Sequence, residues 1–197
     1  MPRLVLASSN HGKLDELREL LAPLSYSLIA QSDLGVEDAD ETAATFVENA
    51  LLKARHAARI TGMPALADDS GLLVDALDGA PGLRSARFAG DHGNASANNA
   101  LLLERMRDVT PERRGAHFFC VLVLLRNADD PQPVIAEGIW RGSILEAPRG
   151  AQGFGYDPLF LPARQPLSAA ELNPDMKNRI SHRGQALAAL RGKLAQS

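Results

Sequence analysis

Two adjacent carboxylates, Asp68 and Asp69, are the residues of this sequence that most directly indicate chemistry. They follow an apolar run at residues 65–67 that predicts a short strand, so they stand where that strand ends. Neighbouring carboxylates repel each other unless a cation or a proton is shared between them. A hard divalent ion such as Mg²⁺ is the natural partner, and the pair therefore predicts a magnesium site beside Ser70.

A further carboxylate and a lysine accompany the helix that precedes this strand. Thr45 and Glu48 form a capping-box pair at the start of that helix, and Glu41 just ahead of it is placed to complete the metal site. Lys53 either points toward the same carboxylates or is an exposed helix lysine. The acidic residues at 37–40 are more typical of a solvated surface.

A polar segment, Ser8-Ser9-Asn10-His11-Gly12-Lys13, joins an apolar strand to a helix. A helix start exposes unpaired N–H groups and the positive end of the helix dipole, which suits a phosphate. Lys13 in the first turn can place its ammonium on the same anion. The segment is not a Walker A loop, because its first glycine is missing and Leu14 stands where Ser or Thr would bind magnesium. A polar loop with a solvated lysine is the alternative.

Aromatic residues make up only 5% of the chain, yet two of them lie in the segment Gly153-Phe154-Gly155-Tyr156-Asp157-Pro158. Glycines leave a neighbouring ring uncovered, and an uncovered ring can stack on a nucleobase. Asp157 could accept hydrogen bonds from such a base or support the metal site. The alternative is a turn in which Phe154 and Tyr156 fill the core.

A further cluster of polar residues lies at the start of the last predicted helix. It consists of Lys177 and the segment Ser181-His182-Arg183-Gly184. Ser181 is a good N-cap, but cations in the first turn oppose the helix dipole. A local rule that is broken in this way often marks a functional site. Donors from His182 and Arg183 can read carbonyl oxygens on a base, or both can be ordinary surface cations.

Hydrophobic periodicity predicts the elements that position these residues. Strands alternate with helices in the first third of the chain, and hairpins dominate the middle. This order predicts a three-layer α/β fold with a mixed sheet, and residues 1–197 are expected to form a single domain. The predicted strands cover 3–7, 26–31, 65–67, 116–125 and 134–140, and the predicted helices 13–22 (stopped by Pro23), 45–61, 95–107 and 182–195.

The composition excludes several classes of protein. With 21 basic and 24 acidic residues, the net charge of −3 offers no general field for a polynucleotide. A single cysteine, Cys120, excludes an intramolecular disulfide and cysteine-rich zinc sites, and its apolar surroundings predict a core residue. The sequence shows neither a membrane span nor a signal peptide, so a cytoplasmic protein is expected.

Taken together, five blocks of the sequence resemble the inosine triphosphatase-like (Ham1-like) pyrophosphatases, which act on noncanonical purine nucleoside triphosphates. The resemblance is strongest to the bacterial members of that family. The resemblance spans nearly the whole chain, in order. The blocks are Ser9-Asn10-His11-Gly12-Lys13, Thr45-Phe46-Val47-Glu48-Asn49-Ala50, Ala67-Asp68-Asp69-Ser70-Gly71-Leu72, Gly153-Phe154-Gly155-Tyr156-Asp157-Pro158 and Ser181-His182-Arg183-Gly184-Gln185-Ala186.

The resemblance implies two lobes on a long mixed sheet, a substrate cleft between them, and a homodimer. It implies hydrolysis of dITP, ITP, dXTP and XTP to the monophosphate and pyrophosphate, which removes deaminated purines from the nucleotide pool. Asp69 would be the proton acceptor and, with Glu41, a Mg²⁺ ligand. The residues that would contact substrate are Ser8, Ser9, Asn10, His11, Gly12, Lys13, Lys53, Ser70, Phe154, Gly155, Tyr156, Asp157, Lys177, His182 and Arg183.

One departure from the family pattern and one question of mechanism remain within this resemblance. Ser8-Ser9 stands where bacterial members often carry Thr-Gly, and serine is less permissive than glycine in a close backbone contact. In the implied mechanism a water attacks the α-phosphorus in line, with a metal ion neutralising the phosphate charge. Sequence alone leaves open whether Asp68 or Asp69 takes the proton from that water.

Two rival functions fit parts of the same pattern. A Maf-like pyrophosphatase would use a similar cleft to read a pyrimidine or methylated base. A catalytically silent nucleotide sensor would keep Lys13 and Phe154 but would have no need of paired carboxylates at the phosphate end. The presence of Asp68 and Asp69 favours an enzyme.

Overall fold

The computed structural model describes residues 2–21, 26–91 and 93–195. The chain folds into two compact units. The first unit consists of Met1–Asp69, Cys120–Gly138 and Arg183–Ser197, and the second of Ser70–Phe119 and Ile139–His182. Because each unit is assembled from separate stretches of chain, residues distant in sequence meet inside it.

The strands confirm the predicted mixed sheet. Six strands in the described residues form one sheet in the order β2-β1-β3-β4-β5-β6. β1 runs parallel to both β2 and β3, whereas β5 and β6 are antiparallel. The strands are β1 (Arg3–Ala7), β2 (Ser27–Ala30), β3 (Ala65–Val74), β4 (Gly115–Leu125), β5 (Val134–Ile144) and β6 (Phe160–Pro162), of which only the short β6 was not predicted.

The helices also match the predicted ones, with one addition. The helices are α1 (His11–Leu21), α2 (Phe46–Thr61), α3 (Ala95–Arg105), α4 (Pro174–Ile180) and α5 (His182–Leu194). The unpredicted α4 is seven residues long and begins with Pro174 behind an Asn173 cap. The predicted stop at Pro23 lies outside the described residues. No helix in the described ranges combines the length and apolar character that crossing a bilayer requires.

Two faces of the sheet are covered in the first unit. Leu4 and Leu6 of β1 join a core with leucines of α1 and α5, so both helices cover one face. Strand side chains alternate between faces, and α2 packs on β1 from outside that core. The buried side of α2 is a stripe of small residues, which lets the helix approach closely: Asn49, Ala50, Ala54, Ala57 and Ala58.

β3 corrects the prediction that Asp68 and Asp69 stand at a strand end. The strand continues through both carboxylates to Val74, seven residues beyond the predicted end at Ala67. Aspartate is disfavoured in strands, so the sequence pattern indicated an end there. The structure shows why the strand continues, since cations from three helices contact the two carboxylates.

Arg114 ties together two ends of secondary structure in the second unit. Its side chain is buried and donates to the carbonyl of Ile144 (Nε, 2.7 Å) and to that of Leu145 (Nη2, 3.0 Å). Nη1 donates to Met106 and Val109, at the end of α3. These carbonyls lie at or just beyond the ends of α3 and β5, and the guanidinium supplies charged donors to them.

We expect Arg114→Met to lower the free energy of unfolding by about 2–4 kcal/mol, because buried carbonyls would lose charged donors. Arg113→Met is the matched control, since the neighbouring Arg113 is exposed. Denaturant unfolding of both variants measures the difference. Equal losses in the two variants would show that the carbonyl contacts of Arg114 contribute little.

Candidate active site

Asp68 lies at the centre of a buried cluster of charges in the first unit. Lys13 at the start of α1 places its Nζ 2.7 Å from Oδ1, and Arg183 at the start of α5 places its Nε 2.9 Å from Oδ2. Cys120 of β4 also donates to Oδ2, at 3.1 Å. Burial alone would raise the pKa of Asp68, but Arg183 and Lys13 hold that pKa well below its usual range. Asp68 is therefore a fixed anion with both oxygens occupied.

Arg183 has a different setting from the one predicted. Its side chain is only 1% exposed, and besides Asp68 it contacts Glu16 of α1 through Nη1. Burial alone would lower the pKa of Arg183, but Asp68 and Glu16 hold it above its usual value. Two nitrogens of the guanidinium therefore bind carboxylates, and the contact with a nucleobase stays a prediction. Its unusual place in a helix first turn is explained by these ion pairs.

Asp69 forms its ion pair with a different helix. Successive strand residues point to opposite faces, and Asp69 meets α2 whereas Asp68 meets α1 and α5. Lys53 of α2 places Nζ 2.8 Å from Asp69 Oδ1 and 2.8 Å from Glu41 Oε1. Burial alone would lower the pKa of Lys53, but Asp69 and Glu41 raise it above its ordinary value.

The two adjacent carboxylates differ in their remaining capacity to bind. Burial raises the pKa of Asp69, and the attraction of Lys53 and Lys13 offsets only part of that effect. Its Oδ2 has no hydrogen-bond partner among the described residues, whereas both oxygens of Asp68 are engaged. Environments that make the pKa values of two carboxyl groups differ in this way usually give the two groups different roles.

The carboxylates of Glu41 and Asp69 converge on one cationic atom, the ammonium of Lys53. Their donor set is oxygen alone, which suits Mg²⁺ and fits its habit of binding one or two protein carboxylates together with phosphates and waters. The described part of the chain contains no group of three or more metal-ligating side chains. The two carboxylates fit a magnesium ion whose other ligands are phosphate or water oxygens.

The segment from Ser8 to Lys13 forms the turn into α1. Asn10 caps the helix, because its Oδ1 accepts from the backbone N–H of Lys13 at 3.0 Å. Ser9 donates its hydroxyl to Asp38 Oδ2, and Gln31 donates to the other oxygen of Asp38. The sequence pattern predicts a solvated surface for Asp38; the residue is exposed, but its contacts also hold this turn in place. His11 is exposed and Gly12 half-buried at the helix start.

In the second unit, the glycine-rich segment is held by a buried ion pair. Lys177 of α4 donates to Asp157 Oδ2 at 2.6 Å, and the same oxygen accepts from the backbone N–H of Phe154 at 2.8 Å. The Lys177 ammonium also lies 5.0 Å from the centre of the Phe154 ring. Gly153 has φ +74°, and a Cβ there would lie 2.1 Å from Asp157 Oδ2. This close approach requires glycine.

The two aromatic residues of this segment face different surroundings. Phe154 is half-buried, but Tyr156 is only 4% exposed and packs in the core of the second unit, where its hydroxyl donates to the Ser85 carbonyl at 2.9 Å. Tyr156 therefore has no uncovered ring face, and stacking of a base on Phe154 stays a prediction. Asn99 of α3 also holds the segment, since its Nδ2 donates to the Gly155 carbonyl at 3.0 Å.

His182 and Ser70 are the remaining predicted contacts in the second unit. The His182 ring is buried and stacks 4.7 Å from the ring of Phe118, and it lies 6.2 Å from that of Trp140. Ser70 is half-buried in β3. Aromatic packing fixes the orientation of the imidazole, a feature that the helix-start pattern did not indicate.

Each unit brings together a different set of side chains. The first unit gathers cations and carboxylates suited to phosphate and a metal: Lys13, Glu41, Lys53, Asp68, Asp69 and Arg183. The second gathers Phe154, Asp157 and Lys177, which can offer a ring face and polar groups to a flat ligand. Sequence reasoning missed Glu16, Asp38 and Asn99, because each acts through a partner that is remote in the sequence.

Known proteins with similar sequences and folds share one family name. The model of the Ham1 family matches residues 4–193. A protein of Xanthomonas campestris pv. campestris (strain 8004) named dITP/XTP pyrophosphatase is 61% identical over 194 residues, which cover 98% of each chain. A Vibrio cholerae protein of the same name is 52% identical over 190 residues, covering 96% of this chain and 95% of that one.

Solved structures give the same result. The HAM1 protein from Coxiella burnetii has a TM-score of 0.91 at 48% identity, with full coverage of both chains. The Staphylococcus aureus Ham1 protein has a TM-score of 0.86 at 36% identity and 98% coverage of each chain. Since sequence and fold agree over nearly the whole length, this chain belongs to the Ham1 family.

Proposed function

We propose that this protein hydrolyses noncanonical purine nucleoside triphosphates, namely dITP, ITP, dXTP and XTP, to the monophosphate and pyrophosphate. The observation that carries the proposal is the division of labour between Asp68 and Asp69, one enclosed by cations and the other with an oxygen available. A nucleotide sensor has no need of such a pair. Relatives named dITP/XTP pyrophosphatase, at up to 62% identity over 98% of this chain, support this substrate class over the base choice of a Maf-like enzyme.

Asp69 is the residue that we assign as proton acceptor. Its Oδ2 can accept a proton from a water that attacks the α-phosphorus. The new bond joins the water oxygen to phosphorus, the bond from phosphorus to the bridging oxygen breaks, and pyrophosphate leaves. Asp68 cannot take this role without losing its contacts to Lys13 or Arg183.

Glu41 and Asp69 would hold the magnesium ion in this proposal, as the convergence of their oxygens suggests. When bound, Mg²⁺ supplies neutralisation of phosphate charge. Lys13 and the exposed N–H groups at the start of α1 bind the triphosphate, because an ammonium and a helix N-terminus both attract anions. The turn from Ser8 to Gly12 positions that helix start.

The second unit supplies the proposed base contacts. Phe154 stacks on the purine, and this contact contributes affinity with little discrimination because every base has a flat face. His182 and Lys177 donate to the carbonyl at C6 of hypoxanthine and xanthine, where adenine carries an amino group. Ser70, Gly155 and Asp157 line the same ligand in this proposal.

The biological setting completes the proposal. Hydrolysis of these triphosphates would remove deaminated purines from the nucleotide pool. We propose that the protein acts in the cytoplasm as a homodimer, as the family resemblance implies. Size-exclusion chromatography with light scattering measures the oligomeric state directly.

A nucleotide panel tests the proposed reaction. We expect ITP and XTP, with Mg²⁺ present, to give a colorimetric phosphate signal only when inorganic pyrophosphatase is added, because the product is pyrophosphate. ATP should react far more slowly, since unpaired buried donors cost about 1–3 kcal/mol each and about 1.4 kcal/mol is tenfold in rate. Phosphate without added pyrophosphatase, or equal rates for ATP and ITP, would refute the proposal.

In the same assay, Asp69→Asn should lower kcat at least about 10²-fold, the range for loss of a general base. Substrate binding should weaken less than turnover. Asp40→Asn serves as the control, because Asp40 is an exposed acidic residue of the loop before α2. Near-normal turnover by Asp69→Asn at saturating Mg²⁺ would remove Asp69 from this role.

Arg183→Met separates a positioning role from base recognition. We expect the free energy of unfolding to fall by about 3 kcal/mol, because Asp68 would remain buried without one of its cations. The values of kcat/KM for ITP and ATP should fall by similar factors, leaving their ratio unchanged. Arg191→Met, an exposed position on the same helix, is the control. A smaller ratio of kcat/KM for ITP to kcat/KM for ATP would instead show that Arg183 contacts the purine base.

A further inference from the structure

Lys53 occupies the point at which the two proposed magnesium ligands meet. Its Nζ lies 2.8 Å from Glu41 Oε1 and 2.8 Å from Asp69 Oδ1, so one positive charge is shared by both carboxylates. The side chains of Lys53, Asp69 and Glu41 are 12%, 8% and 28% exposed, and solvent therefore screens this contact only weakly.

Two cations cannot share this position. A divalent ion that binds the same two oxygens needs the space that the ammonium occupies, and it would repel the ammonium strongly at such short range. Lysine carries its charge on a flexible stem of four carbons and can move it away. An ammonium that moves away needs another anion nearby, and a nucleotide phosphate is such an anion.

We propose that Lys53 is a resident cation that holds Glu41 and Asp69 together and competes with the divalent ion for them. This inference rests on the magnesium site of the proposed function. It implies that the metal alone binds weakly, because the ammonium must be displaced without a new partner. Metal and nucleotide together bind more tightly, because the phosphates accept the displaced ammonium.

Binding of Mn²⁺ to the full chain, without nucleotide, tests the competition. Electron paramagnetic resonance of free Mn²⁺ gives the dissociation constant independently of activity. We expect Lys53→Met to bind Mn²⁺ at least about tenfold more tightly than the unaltered protein, because two close carboxylates lose the positive charge that they share. Lys53→Arg keeps the positive charge and should bind as weakly as the unaltered protein.

Three further variants make the result specific. Lys53→Gln repeats the loss of charge with a polar side chain, in case methionine disturbs folding, and circular dichroism verifies the fold of each variant. Combining Lys53→Met with Glu41→Gln should abolish the gain in Mn²⁺ affinity, and this result would show that the additional Mn²⁺ binding occurs at Glu41 and Asp69. Lys193→Met removes an exposed lysine elsewhere in the first unit and should leave Mn²⁺ affinity unchanged.

Unchanged or weaker Mn²⁺ binding by folded Lys53→Met and Lys53→Gln would overturn the competition. A gain that persists when Glu41 is also replaced would overturn it as well. Pyrophosphate release from ITP by the unaltered protein tests the proposed function separately. If Lys53→Met binds Mn²⁺ more tightly but the unaltered protein does not hydrolyse ITP, the competition is supported and the proposed function is refuted. If the unaltered protein hydrolyses ITP but Lys53→Met does not bind Mn²⁺ more tightly, the proposed function is supported and the competition is refuted.

Discussion

The buried carboxylate of Asp68 requires compensating charge, and much of the first unit is arranged to supply it. An ion buried without a partner costs several kcal/mol. Lys13 of α1 and Arg183 of α5 provide that partner from positions 55 and 115 residues away in sequence. The two helices must therefore begin beside β3, and the helix start that α1 offers to an anion is fixed by the same contact.

The alternation of side chains along a strand explains how adjacent carboxylates can do different work. Asp68 and Asp69 differ by one position, so β3 directs them to opposite faces of the sheet. Helices α1 and α5 neutralise the first, whereas α2 supplies a single lysine that the second shares with Glu41. Repulsion between neighbouring carboxylates is thereby reduced without a proton having to be shared.

The sequence predicted most of the sheet and four helices, because those elements carry clear apolar periodicity. It also placed Glu41, Lys53 and Asp69 near one another. It did not predict the extension of β3 through two aspartates, which depends on cations from remote segments. Nor could it tell which ring of the glycine-rich segment faces inward, or that Arg183 turns toward carboxylates, since both depend on packing between distant parts of the chain.

The stripe of alanines on α2 has a geometric consequence for the chemistry. Because Ala50, Ala54, Ala57 and Ala58 are short, the helix axis lies close to the sheet, and the reach of Lys53 matches the depth of Asp69. A bulkier residue in the stripe would lift the helix and carry the lysine with it. The methyl groups of these alanines set the separation between α2 and β3, and that separation determines whether the Lys53 ammonium can contact the Asp69 carboxylate.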